Sequence, residues 1–135
     1  MKKKHLIIFF LVLLISFENL SAKITSNIVI KIEDQIITNY EIKNKILSSL
    51  VLSNQKINEE NIDKLKKQSL DFLIHQNLKK IELAKFNIEV SETQINTYIK
   101  SISSNNVLGL KKTFAENNLD YNLFLEEVKI LLKWQ

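Results

Sequence analysis

The sequence has no cysteine, no proline, no arginine and a single glycine, Gly109, among its 135 residues. Without cysteine no disulfide staples the fold, and no thiol is available as nucleophile or metal ligand. A phosphate-cradling loop needs several residues free of a Cβ, and one glycine cannot supply it. The missing arginines remove the planar fork that grips phosphate and reads guanine. The 19 lysines are interspersed with 15 acids rather than clustered, so no nucleic-acid partner is expected. Beyond His5 the only histidine is His75, so a zinc site lacks ligands and any Ser–His–Asp arrangement would have to be built on that one ring. Stability has to come from packing.

What is present begins with a leader. Lys2, Lys3 and Lys4 precede the apolar run His5–Phe17, and Leu20-Ser21-Ala22 ends in small residues. This is the pattern of a secretory signal peptide over residues 1–22, cleaved after Ala22, with export to the periplasm. The apolar run is shorter than the roughly 20 residues that span a bilayer, so no stable membrane insertion is expected after cleavage. Removing 22 of 135 residues leaves 113, enough for one modest core, so residues 23–135 are read as one domain. The 19 lysines less three, and the 15 acids less Glu18, leave a formal net charge of +2.

The most apolar helical stretch is Asn58–Phe86, which has no breaker and is rich in helix-forming Leu, Lys, Glu, Gln and Ala. Lys64, Gln68, Asp71, His75, Lys79 and Glu82 fall on one row at 100° per residue. Ile62, Leu65, Leu70, Phe72, Leu73, Ile74, Leu78, Ile81, Leu83 and Ala84 occupy most of the remaining circumference. Such a helix is expected to be covered on several sides, gaining on the order of 15–25 kcal/mol before ordering costs. The other elements are read around it as a hub.

Ile28–Ile32 and Ile36-Ile37 read as a hairpin, although the turn lacks the Asn-Gly or Asp-Gly of a tight primed turn. Thr38 and Glu41 form a capping box for a helix to about Ser53, and Asn58 is the expected cap of the hub. Ser91 and Gln94 form a second capping box before Ile95, Tyr98, Ile99 and Ile102. Gly109 is placed at the start of a short helix with Leu110 and Phe114. Asp120 opens a last helix whose stripe is Tyr121, Phe124, Leu125, Val128, Leu131 and Leu132. That stripe is still in progress at Trp134, so the domain is read as truncated, with Val128, Leu131, Leu132 and Trp134 exposed for self-association or pairing with a missing C-terminal helix. The expected fold class is mainly α: a short N-terminal β-hairpin followed by about five helices around one long central helix.

The order of these pieces resembles the N-terminal domain of SurA-type periplasmic chaperones. IEDQIITNYEI at 32–42, LDFLIHQNLKKIELAKFNIEVSETQI at 70–95 and FAENNLDYNLFLEEVKILL at 114–132 carry the likeness, over most of residues 27–135. The resemblance implies a chaperone, a holdase for unfolded outer-membrane polypeptides, with no cofactor and no metal. It differs from the family in lacking the parvulin-type prolyl isomerase domains and the C-terminal helix that packs back on this domain. The alternative is the non-catalytic N-terminal portion of a secreted parvulin-type isomerase; on either reading this chain is not itself an enzyme. Candidate client-contacting residues are Tyr98, Phe114, Tyr121, Phe124, Leu131 and Trp134, although aromatics on helical stripes more often serve a core.

Overall fold

A computed structural model describes residues 27–135; the expected leader and its cleavage site lie outside the described residues. Two strands, β1 (Ile28–Ile32) and β2 (Gln35–Thr38), are followed by α1 (Asn39–Leu52), α2 (Glu59–Leu83), α3 (Glu92–Ile102), α4 (Val107–Glu116) and α5 (Tyr121–Lys133). About two-thirds of the described residues are helical, and the mainly α class with an N-terminal hairpin is what the sequence leads one to expect.

The strands pair antiparallel, Ile30 opposite Ile37 and Ile32 opposite Gln35, with an irregularity between Ile28 and Ile30. The turn is closed by Glu33 and Asp34, with Glu33 in the left-handed region at φ 52°. No Gly or Asn is present to take that conformation without strain.

Local capping chemistry sets the helix starts. The Glu41 amide donates to Thr38 Oγ1 at 3.2 Å while the Thr38 amide donates to the Glu41 carboxylate at 2.8 Å. The Ser91–Gln94 box repeats this arrangement. Asn58 Oδ1 accepts from the Asn61 amide at 2.9 Å and starts α2, and Asp120 accepts from the Asn122 amide at 2.9 Å and starts α5. The start of α4 differs from the sequence reading. Its cap is Asn106, whose Oδ1 accepts from the Gly109 amide at 2.9 Å, so Gly109 lies inside the first turn. A Cβ at 109 would collide with the Asn106 carboxamide in its capping position. The central helix also ends sooner than expected. Ala84 is its C-cap, and i→i+3 bonds from the Lys85 and Phe86 amides to the Glu82 and Leu83 carbonyls tighten the chain out of the helix.

The core is not centred where the sequence reading puts it. The buried cluster is Ile99, Phe114, Leu119, Phe124 and Val128, contributed by α3, α4, α5 and the turn before α5. Helix α5 packs against all four other helices, whereas α2 packs mainly against the hairpin, α1 and α5. On α2 only Ser69 and Gln76 are buried. These residues, seven apart, share one face of the helix. The larger Leu65, Leu70, Phe72, Leu73, Ile74 and Ile81 flank them and end half-buried, and Leu78 is exposed. Helix α2 is covered on several sides, by the hairpin, α1 and α5, but incompletely, so that apolar clefts remain beside it. Of the expected polar row, Lys64, Gln68, Asp71 and His75 are exposed, while Lys79 and Glu82 are half-buried.

Besides a 3.4 Å bond from the Tyr40 hydroxyl to Asp120 Oδ2, two shorter long-range ties hold α1 to α5. Asn44, itself buried, accepts from the Asp120 amide at 2.8 Å and reaches the Asp120 carbonyl at 3.5 Å. Lys45 Nζ meets Glu127 Oε2 at 2.6 Å.

Candidate functional site

The cleft between α1, α2, α3 and α5 has a volume of about 380 Å³, within the usual range for binding pockets. Phe72, Tyr98 and Leu131 are half-buried in its walls, and Leu52 and Ile102 stand exposed at its mouth. The Lys45–Glu127 pair crosses it, with Lys45 Nζ 3.6 Å from the centroid of the Phe72 ring. The pair is largely withdrawn from water, with side-chain exposures of 14% and 18%, so its attraction is little screened. Burial pushes the Glu127 carboxyl above the ordinary carboxylate range, and the nearby Lys45 ammonium opposes that shift.

Gln76 lines this cleft and also a smaller pocket of about 130 Å³ bounded by Glu41, Asn44, Leu73 and Ile130. Its Oε1 is buried and has no hydrogen-bond partner among the described residues. A buried acceptor left unpaired costs about 1–3 kcal/mol. An N–H donor entering the cleft would relieve that cost, and polypeptide backbone supplies such donors at every residue except proline.

A second cleft, of about 350 Å³, lies between α3, α4 and α5 and is lined by Ile95, Val107, Tyr121 and Leu125. The Tyr121 hydroxyl is buried without a partner among the described residues, and burial raises its pKa. Its ring meets Phe114 edge-on with centroids 5.5 Å apart.

The six expected client-contacting residues therefore divide. Tyr98, Phe124 and Leu131 share the first cleft and Tyr121 lines the second. Trp134 is 47% exposed at the C-terminal end of α5, with Lys79 Nζ 5.4 Å from its ring. Phe114 is corrected to a core residue: at 0% exposure it is closed to a client unless the domain opens, whereas Phe124, at 5%, is largely buried but lines the first cleft. Their rings, 5.2 Å apart, fill the junction of α4 and α5. Val128 is likewise buried and Leu132 packs on the core, so only Trp134 of the expected unfinished stripe is substantially exposed. Sequence reasoning missed Phe72 as a cleft wall and Gln76 as a buried acceptor. A polar residue one position from the expected polar row was the only available signal for Gln76.

Among the described residues there is no group of acids, histidines or cysteines arranged to hold a metal ion. No helix among them is long and apolar enough to cross a membrane. His75 is exposed, and its Nδ1 lies 2.7 Å from the Asp71 carbonyl, a local helix contact rather than a catalytic one.

A hairpin joined to five helices, with apolar clefts on either side of the longest one, defines a small helical domain built around grooves. The family model for the SurA-like N-terminal domain matches residues 2–126, and the chain belongs to that family, whose domain is of a non-catalytic, chaperone type. Neither the curated proteins nor the solved structures yield a match to this chain.

Proposed function

We propose that the protein is a periplasmic holdase that receives unfolded outer-membrane polypeptides in the cleft between α1, α2, α3 and α5. The observation that carries this reading is an apolar cleft with an aromatic wall, lined also by Gln76, whose buried Oε1 has no partner among the described residues. Apolar client side chains lie against Phe72, Tyr98 and Leu131, and a client backbone N–H donates to Gln76 Oε1. Because one such bond contributes little, the complex stays reversible, as a carrier requires. The family relation supports the chaperone class. The periplasmic address rests on the leader pattern at residues 1–22.

The test is light scattering by an unfolded outer-membrane β-barrel diluted into buffer with the protein at micromolar concentration. Delayed aggregation is expected, together with no acceleration of prolyl cis/trans exchange in a short peptide. Gln76→Leu should bind a barrel-derived peptide about three- to tenfold more weakly while folding at least as stably, since it removes an unpaired buried acceptor. Absence of protection for any barrel client, or measurable isomerase activity, would overturn the reading.

A further inference from the structure

A larger cleft lies elsewhere. It runs between α1 and α2 with a volume of about 590 Å³, and its floor is Ile42, Ile46, Leu47, Ile62 and Leu70. The α1 wall, from Asn39 to Leu47, spans nine residues, so the trench is roughly 12 Å long at 1.5 Å per residue. Its rim is cationic on both sides: Lys43 on the α1 wall, Lys66 and Lys67 on the α2 wall. No carboxylate lines it. Lys66 pairs with Asp63 at 2.6 Å, while Lys43 and Lys67 form no ion pair among the described residues. All three are exposed, so the charge is presented to whatever enters.

We propose that this trench is a second polypeptide-binding groove, selective for short apolar segments with acidic residues on both sides of the buried stripe. Charge complementarity identifies the occupant. Lysines on both walls match acids on both flanks of one segment, whereas a single acyl chain brings one carboxylate at one end. A second copy of this chain, basic at +4 over the full sequence and +2 without residues 1–22, is disfavoured by the same rim. The proposal deepens the holdase reading and rests on it for polypeptide as the ligand class, but its selectivity is a property of this groove alone.

The experiment compares three labelled peptides that share a Leu/Ile/Val core and differ only in carrying Glu, Gln or Lys at the flanking positions. Binding to the full chain is followed by fluorescence anisotropy at low and high salt. The Glu peptide should bind about tenfold or more tighter than the Lys peptide at low salt, and the ratio should fall as salt rises. The paired surface change Lys43→Glu with Lys67→Glu should reverse the order of Glu and Lys peptides, leave the Gln peptide little changed and preserve protection of an unfolded barrel. Equal affinities for the three peptides, or a ratio indifferent to the charge reversal, would overturn the groove assignment while barrel protection stands. Stronger displacement of the Glu peptide by dodecanoate than by excess unlabelled peptide would overturn the polypeptide as occupant. Failure of all three peptides together with loss of barrel protection would overturn both readings.

Discussion

Phe114 is fully enclosed and touches the rings of both Tyr121 and Phe124, so truncating it opens a void that these rigid neighbours cannot fill. Phe114→Ala should cost about 3–5 kcal/mol in a denaturant titration. Trp134→Ala, at a half-exposed helix end, should cost no more than about 1 kcal/mol. Comparable losses would mean that the core lies elsewhere. The Glu127 carboxyl makes a separate prediction. Burial, opposed by Lys45, raises its folded-state pKa above the ordinary value near 4.5. The folded chain therefore holds this proton more tightly than the unfolded chain does. The contribution to stability is present at low pH and is lost as pH rises through the window above 4.5. The stability of the parent chain minus that of Glu127→Gln should thus fall from pH 4.5 towards neutrality. A difference that rises over that range would show that the attraction of Lys45 outweighs burial.

At the scale of single elements, the sequence was legible wherever the physics is local. A hydroxyl and a carboxylate or carboxamide three residues apart satisfy each other's backbone amides with no reference to the rest of the chain. Both capping boxes, at Thr38–Glu41 and Ser91–Gln94, therefore stand where the sequence puts them. Thr38→Ala and Ser91→Ala should each lower stability by about 1 kcal/mol, measured by thermal or chemical unfolding. The hairpin turn offers the opposite sign. Glu33→Gly removes a left-handed strain and should raise stability by up to about 1 kcal/mol; a loss would show that the unfolded chain's added freedom outweighs it. What the sequence did not disclose is how closely helices approach. The α2 pattern puts Ser69 and Gln76 on the apolar side, away from the row of Gln68 and His75. It does not show that they are its buried residues while the larger Leu and Ile beside them are only half-buried, because that is set by partners distant in sequence. Equally, a row of Leu and Ile specifies apolar surface but not whether it is covered. The clefts became visible only once the helices were in place.

For the molecule as a whole, the Asn44 and Lys45 ties between α1 and α5 bear on how the chain reaches this state. Asn44 and Asp120 are 76 residues apart in sequence, and Lys45 and Glu127 are 82 apart, yet each pair is in direct contact. Closing so long a loop costs entropy before any contact repays it, so this mainly helical chain should fold more slowly than helical domains whose contacts are local. Asn44→Ala should speed unfolding and reduce stability by about 1–3 kcal/mol, since it strips a partner from the Asp120 backbone; stopped-flow chevrons would show on which limb the effect falls. The same spacing has a consequence for synthesis. Until residue 120 has emerged, Asn44 has nothing to hold and the Phe114–Phe124 junction does not exist, so a growing chain acquires its hairpin and early helices without its core. It passes most of its time on the ribosome, or in any pore it is threaded through, as a string of helices that have not yet committed to a tertiary structure.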